Sequence, residues 1–301
     1  MNQQLRFGIG TLQNIPWKEL VKRWKSIEAL GFDSVWVADH FVNYMDPMAP
    51  WFEAWTLLAA LATHTTTIRI GTLVTSIPLR NPAVLARQAL TVDHISNGRL
   101  ELGLGAGASG KIDPVYSMTG IKDWAPSERV ARFQEVVEIL DQCLRNQITT
   151  YKGRYYRINA TAMSPPPIQQ PRPPITIGAM GPSMLKIAAR YADTWNSLGG
   201  EFGAHPEIIV ENIKRQNKLL NDYCAEIGRN PETLRRSLLI FGLEAETVFD
   251  SEESFKEVVK RYLNMGITEF IFFHPDTDPH ISSRAFEQIA LELIPELRSD
   301  N

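Results

Sequence analysis

The chain alternates short apolar runs with longer segments that have helical periodicity. Most runs are continuous rather than alternating and are rich in β-branched or aromatic residues, which is typical of parallel strands buried on both faces. Between them, apolar residues recur every three or four positions, as at Leu20, Trp24 and Ile27. Eight such runs occur, at residues 5–10, 34–38, 68–74, 99–105, 175–178, 194–198, 238–243 and 269–273.

Eight strand–helix repeats in 301 residues most economically form an α/β fold of the (β/α)8 TIM-barrel type. A doubly wound open sheet is the alternative. The repeat is interrupted between the fourth and fifth strands by two insertions, a loop over residues 106–126 and a segment over residues 148–174. The second insertion predicts a hairpin around Lys152 and Gly153, followed by a proline-rich extended stretch. No other boundary is evident, so we expect a single domain over residues 1–301.

Charge and composition exclude several classes of protein. The net charge of −3 argues against a basic surface for nucleic acid. The two cysteines form no C-x-x-C motif, which excludes a zinc ribbon and a disulfide scaffold. The N-terminus lacks the pattern of a signal peptide, and no apolar run approaches the roughly 18 residues of a membrane span. The default expectation is a cytoplasmic protein.

Barrel enzymes carry their chemistry at the C-terminal ends of the strands, so the residues after each run are the candidates. Asp39 and His40 follow the second run directly. Histidine exchanges protons near neutral pH, which favours a catalytic role, although a capping Asp and a solvated His would give the same pattern. Metal-assisted hydrolysis is disfavoured, because only His40 and His274 follow strands and no glutamate-rich strand end accompanies them.

Glycines follow two further runs. The string over residues 105–110 contains G-x-G-x-x-G, but the next helix is expected only near Ser127, so a Rossmann fingerprint is disfavoured. Such glycines instead let a flat group approach the backbone. The segment Gly178 to Ser183 opens a helix with a proline in its first turn, which indicates a phosphate site at the helix N-terminus. A tight turn without a ligand is the alternative.

Five stretches resemble the bacterial luciferase-like superfamily of flavin- and deazaflavin-dependent oxidoreductases. The similarity runs from about Leu5 to Asn196, and the last third of the chain is only compatible with it. The stretches are FDSVWVADHF (32–41), EAWTLLAALATHTTTIRIGTLV (53–74), NPAVLARQALTVDHISNGRLELGLGAG (81–107), YKGRYY (151–156) and PPITIGAMGPSMLKIAARYADTWN (173–196).

The resemblance implies a TIM barrel that binds coenzyme F420 or FMN at its mouth. It places Asp39 and His40 beside the reactive ring, with His40 in an acid–base or orienting role. It also matches the bond between Leu73 and Val74 to a non-proline cis peptide of the deazaflavin members. The other matched positions are Gly105, Ala106 and Gly107 at the ring and ribityl chain, and Gly178, Ala179, Met180 and Gly181 in the phosphate loop. These separate corners are therefore expected to meet at one mouth.

One departure from the family concerns the substrate. Some members of the group, the glucose-6-phosphate dehydrogenases, have a glutamate where this chain has Ala108. Its absence disfavours a sugar phosphate. The nearby aromatic residues favour an apolar or aromatic small molecule, unless they are simply core or dimer contacts. They are Tyr44, Trp51, Tyr116 and Trp124.

Three functions are compatible with the sequence. The leading hypothesis is hydride transfer by an F420-dependent oxidoreductase. The second is an FMN-dependent two-component monooxygenase, which would use O₂ and reduced flavin from a separate reductase. The third is a flavin-binding protein without turnover. The family resemblance also implies a homodimer.

Overall fold

The fold is built on parallel strands that are each followed by a helix. The computed structural model describes residues 4–200, 204–275 and 283–300. The strands are β1 (Arg6–Thr11), β2 (Ser34–Val37), β3 (Arg69–Thr72), β4 (Thr75–Ser76), β5 (Leu100–Gly105), β6 (Ile148–Lys152), β7 (Arg157–Ala162), β8 (Ile175–Gly178), β9 (Thr194–Ser197), β10 (Arg235–Leu239) and β11 (Glu269–Phe273).

The helices occupy the segments between these strands. They are α1 (Trp17–Ala29), α2 (Ala54–His64), α3 (Pro82–Ile95), α4 (Val115–Thr119), α5 (Pro126–Arg145), α6 (Pro182–Tyr191), α7 (Pro206–Glu226), α8 (Leu243–Thr247), α9 (Glu252–Leu263), α10 (Ser283–Gln288) and α11 (Ile294–Ser299). The stripe predicted for α1 buries Leu20, Trp24 and Ile27 completely.

Hydrogen bonding orders the main sheet as β3-β2-β1-β11-β10-β9-β8-β5-β4, and β3 pairs with β5 as well. The pairs of β1 with β11, β10 with β9 and β5 with β8 are parallel. β3 lies within the third predicted run, and the short strand β4 follows directly after that run. The order closes on itself, so the predicted (β/α)8 barrel is confirmed.

The chain divides into two compact units. One comprises residues 1–11, 25–36 and 178–301, and the other residues 12–24 and 37–177. The first has an aromatic core, in which Phe255 lies 5.9 Å from Phe7 and 5.1 Å from Phe272 between ring centroids. In the second, α3 packs against α2 and α5, and aliphatic residues of these helices such as Leu85 and Leu140 are buried. The expectation of one domain over residues 1–301 stays a prediction.

One predicted strand is misplaced. The seventh run is expected at residues 238–243, whereas β10 covers Arg235–Leu239 and residues 243–247 are helical. The reason is that β10 begins with two charged residues that find polar partners. Arg235 donates to the Gln4 carbonyl (2.9 Å) and Arg236 to the Asn221 side chain (2.6 Å).

The two insertions have the predicted character. The loop over residues 106–126 contains the short helix α4, and α5 begins at Pro126. β6 and β7 form the predicted antiparallel hairpin, with residues 153–156 as its connection. Both cysteines, Cys143 and Cys224, are buried. Among the described residues, none of the helices combines the length and hydropathy needed to cross a bilayer.

Candidate active site

His40 lies three residues beyond the end of β2, and its imidazole is held by a buried carboxylate. Its Nδ1 lies 2.9 Å from Oδ2 of Asp113, whose side chain is 5% exposed against 29% for His40. The other oxygen of Asp113 accepts the Val115 N–H at 2.9 Å. Burial raises the pKa of Asp113, but the hydrogen bonds from His40 and Val115 outweigh it, so the pKa lies below its usual value.

Two aromatic residues surround His40. The rings of Tyr44 and His40 are 4.9 Å apart between centroids and inclined by 49°. The indole N–H of Trp51 donates to the His40 carbonyl at 2.9 Å. Burial, and then the charge of Asp113, raise the pKa of the Tyr44 hydroxyl. Tyr44 is therefore neutral beside the imidazole at physiological pH.

Asp39 is almost completely buried and has a different set of partners. Its carboxylate accepts two N–H groups of Arg80, one of them at 2.8 Å, and the Ser76 N–H at 2.9 Å. Arg80 also donates to Glu53 (2.5 Å), whose side chain caps α2. Burial raises the pKa of Asp39, while Arg80 and Ser76 act in the opposite direction. These contacts join the segment after β2 to β4 and to the residues that follow β4.

The segment between β3 and β4 packs against the end of β5. The peptide bond between Leu73 and Val74 is cis, as the resemblance implied. A Cβ on Gly105 would stand 2.3 Å from Cγ2 of Val74, and one on Gly107 would stand 2.9 Å from the Pro78 ring. Gly107 also has a φ of +81°, a conformation that favours glycine. Ala106, between the two glycines, is half-buried.

The loop Gly178–Gly181 belongs to the other unit and precedes α6. The Ala179 N–H donates to the Asn196 carbonyl (3.0 Å), and the Trp195 indole donates to the Ala179 carbonyl (2.8 Å). Gly181 is the N-cap of α6, Pro182 is its first residue, and no side chain caps the helix. A Cβ on Gly181 would meet nothing within 4 Å. The Met180 side chain is exposed.

The predicted site residues thus fall into two groups. Asp39, His40, Leu73, Val74 and residues 105–107 lie in one unit, where Asp39 contacts Ser76 and Val74 lies against Gly105. Residues 178–181 lie in the other unit. The expectation that all these site residues meet at one mouth of the barrel stays a prediction.

The four aromatic residues predicted to line the substrate site do not all lie together. Tyr44 and Trp51 contact His40, and the Tyr116 hydroxyl donates to the Ala108 carbonyl (2.7 Å). Trp124 instead lies under the guanidinium of Arg132, 4.5 Å from the ring centroid.

His274, the other histidine after a strand, is buried against Phe286, with 5.4 Å between ring centroids. Over the described part of the chain, His, Cys, Asp and Glu side chains nowhere form a group of three that could hold a metal ion.

Sequence reasoning missed the two partners that organise this site, Arg80 and Asp113. Arg80 stands before the helix N-cap Asn81, and Asp113 lies within the long insertion. The only sequence signal for either is the pattern Asp-Pro at the start of α4, which marks a turn rather than a partner of His40.

Known proteins of similar sequence are oxidoreductases, and one of them is F420-dependent. The F420-dependent glucose-6-phosphate dehydrogenase of Amycolatopsis mediterranei is 28% identical over 94% of this chain and 95% of its own length. The 5,10-methylenetetrahydromethanopterin reductase of Archaeoglobus fulgidus is 33% identical over 63% of this chain and 52% of its own length.

A solved structure of similar fold is an F420-dependent secondary alcohol dehydrogenase in complex with an F420–acetone adduct. It is 20% identical, has a TM-score of 0.80, and matches 96% of this chain and 100% of that chain. At this identity the likeness shows the fold. Taken together, the two relatives and this fold confirm the prediction of an oxidoreductase of the luciferase-like class. Since the model of the luciferase-like monooxygenase family matches residues 3–290, the chain belongs to that family.

Proposed function

We propose that this protein is an F420-dependent oxidoreductase that transfers a hydride to or from a small apolar or aromatic substrate. The observation that carries the proposal is His40, a partly exposed imidazole just beyond the end of a barrel strand, held by a buried carboxylate. The Amycolatopsis relative supports this choice, because it is an F420-dependent enzyme that matches nearly the whole chain.

Two features of the structure support binding of a flat ring and a phosphate group. The segment between β3 and β4 packs closely on the backbone at the end of β5, because a side chain at Gly105 or Gly107 would collide with Val74 or Pro78. We propose that Leu73, Val74 and residues 105–107 hold the ring of the cofactor. We assign the phosphate to residues 178–181, because an uncapped helix N-terminus with an open glycine favours an anion.

Bound F420 would supply two-electron hydride chemistry, and the protein would supply orientation and proton transfer. A hydride that moves to or from a substrate carbon is balanced by a proton at the neighbouring oxygen or nitrogen. We assign that proton to His40, since its imidazole is partly exposed and can both accept and donate a proton. Asp39 has its carboxylate bonded to Arg80 and Ser76, so we assign it to holding the backbone beside the ring.

The substrate of the Amycolatopsis relative is not carried over to this chain. Position 108 is alanine, and its carbonyl accepts the Tyr116 hydroxyl. Tyr44 and Trp51 are the aromatic side chains beside His40. These contacts favour an apolar or aromatic substrate over a sugar phosphate.

The cofactor assignment is tested by titrating the purified apoprotein with F420 and with FMN. We expect F420 to bind with a Kd of about 1 μM or below, roughly −8 kcal/mol, and FMN to bind at least about tenfold more weakly. Oxygen consumption with supplied reduced FMN would instead support the two-component monooxygenase. Tight ring binding without turnover of any acceptor would support a binding protein. If neither cofactor binds below about 1 mM, the proposal is wrong.

The role of His40 is tested with His40→Ala. We expect F420 affinity within about tenfold of the wild type, because the ring and phosphate contacts remain. Turnover should fall by about 10²–10⁴-fold, the usual contribution of a general acid or base. Steady-state kinetics and the same titration measure both quantities. Unchanged turnover would remove His40 from the reaction.

A further inference from the structure

We propose that Asp113 is the positioning residue of His40. In this arrangement Asp113 fixes the imidazole in the tautomer with its proton on Nδ1, so that Nε2 is the atom available for proton transfer. The inference deepens the proposed function, and the catalytic part of the inference rests on that function. The tautomer itself is a property of the protein alone.

The first argument is the chemistry of the pair. An ionised carboxylate can only accept hydrogen bonds, so a 2.9 Å contact with Nδ1 requires the proton to be on Nδ1. The neutral imidazole then carries its lone pair on Nε2, which points to the opposite side of the ring. In the imidazolium the same carboxylate stabilises the positive charge.

The second argument is that the carboxylate is fixed before it meets His40. Oδ1 of Asp113 accepts the Val115 N–H, and the Asp113 N–H donates to the Ser109 carbonyl, both at 2.9 Å. The side chain is 5% exposed. The acceptor is therefore placed by its own loop, and the imidazole has to orient to it.

The third argument is the organisation of that loop. Its glycine-rich start is tied to its end, because Gly110 N–H donates to Asp123 (2.9 Å) and Asp123 pairs with Arg129 (2.5 Å). Arg129 also donates to the Trp124 carbonyl at 3.1 Å. The insertion is thus an ordered element that delivers one carboxylate to His40.

The remaining groups at His40 do not compete for this role. Tyr44 meets His40 through its ring, and Trp51 bonds the backbone carbonyl of His40. The nearest carboxylate in sequence, Asp39, is bonded to Arg80 and Ser76. Asp113 is the carboxylate bonded to the imidazole among the described residues.

The test is the tautomer of His40 in the cofactor-free protein, read from two-bond ¹H–¹⁵N correlations of protein labelled with ¹⁵N-histidine. His40→Gln identifies the signal among the six histidines. We expect the wild type at pH 8 to show a protonated Nδ1 and an unprotonated Nε2. A wild-type protein with mainly Nε2 protonated would overturn the inference, whatever the variants do.

The variant Asp113→Asn can present an amide N–H to Nδ1, so we expect it to increase the tautomer with the proton on Nε2. Asp46→Asn is the matched control, because it changes a carboxylate of the segment after β2 that accepts the Met48 N–H and has no part in the loop that holds Asp113. It should leave the His40 spectrum unchanged. An equal change in both variants would show that the effect is not specific to Asp113.

Kinetics link the tautomer to the reaction. We expect Asp113→Asn to lower kcat by about 10–100-fold, the usual effect of losing such an orienting partner, with KM and F420 affinity within about threefold. Asp113→Glu should recover part of the loss. Unchanged kcat would overturn the positioning role. Failure of F420 to bind, with the expected tautomer present, would overturn the proposed function and leave the tautomer assignment intact.

Discussion

Asp39 shows how a single residue can be functional in position and structural in its contacts. It follows a strand end, as a catalytic acid would, yet its carboxylate is 1% exposed and paired with Arg80, which is 9% exposed. Removing one partner of a buried pair leaves an uncompensated charge, which costs more than the pair contributes. The contribution of this pair to the free energy of unfolding is therefore best measured by substituting Arg80.

For Arg80→Met we expect the free energy of unfolding at pH 7 to fall by about 3–5 kcal/mol. The loss should shrink as the pH is lowered. Burial already raises the pKa of Asp39, and without Arg80 it would rise further above the unfolded value of about 3.9. The folded variant then binds a proton more readily than the unfolded chain, so its stability increases as the pH falls through the folded pKa.

Urea denaturation of the wild type and the variant at pH 7 and pH 5 measures this difference. Asp39→Asn combined with Arg80→Met is the control, since it removes the buried charge and should be more stable than Arg80→Met at pH 7. If the free energy of unfolding of Arg80→Met stays below that of the wild type by the same amount at both pH values, Asp39 is not the group responsible for the loss.

At the level of residues, the sequence could predict positions but not partners. Asp39 and His40 are recognisable because they follow a strand, and the glycines at 105 and 107 because they end one. Their partners are far away in sequence, 41 residues for Arg80 and 73 for Asp113. Local patterns carry no information on such pairs, because the pairing depends on how the strand ends and loops are brought together.

The hairpin β6–β7 illustrates the scale of elements. Its connection is fixed to α5 by one carboxylate, because Glu135 accepts the backbone N–H groups of Arg154 (2.7 Å), Tyr155 (3.0 Å) and Tyr156 (3.0 Å). A Cβ on Gly153 would stand 2.2 Å from the same carboxylate. The guanidinium of Arg132, one turn earlier on α5, stacks 4.4 Å from the Tyr155 ring centroid. The hairpin is thus tied to the helix at its connection.

We expect Glu135→Gln to loosen this connection without unfolding the protein. An amide offers one acceptor and places an N–H group against backbone donors, so at least one charge-assisted hydrogen bond worth about 1.5–3 kcal/mol is lost. Trypsin should then cleave after Lys152 or Arg154 about tenfold faster or more, since 1.4 kcal/mol is a factor of ten in local opening. The free energy of global unfolding should change by only about 1 kcal/mol.

Limited proteolysis with mass spectrometry measures the rate and the site of cleavage. Glu138→Gln is the matched control on the same helix, because Glu138 accepts the Tyr151 hydroxyl and none of these three backbone groups. Cleavage of both variants at the same rate would argue against the role of Glu135.

Elements were more predictable than their ends. Continuous apolar runs identify buried strands well, and the hairpin follows from two β-prone runs around Lys152 and Gly153. The seventh strand is the exception. The apolar run of Leu, Ile and Phe over residues 238–243 places the predicted strand too far toward the C-terminus. β10 instead starts at Arg235, where side-chain hydrogen bonds make a charged strand end acceptable.

On the scale of the whole molecule, the repeat of strands and helices favours the barrel over a doubly wound open sheet, whereas it does not give the number of domains. The chain passes between its two compact units after residues 11, 24, 36 and 177. Three of these passages fall inside regular elements, in α1, β2 and β8. Flexible linkers mark domain boundaries in most proteins, and a boundary inside a helix or strand is not of that kind.

We therefore expect the protein to unfold in one cooperative transition, as the predicted single domain over residues 1–301 requires. A transition shared by both units makes the calorimetric and van't Hoff enthalpies equal. Amide hydrogen exchange should give the same free energy of opening for the slowest peptides of each unit, such as those from β5 and β11. Two resolved transitions, with one unit losing protection at lower urea, would show that the units fold separately and that the single-domain prediction is wrong.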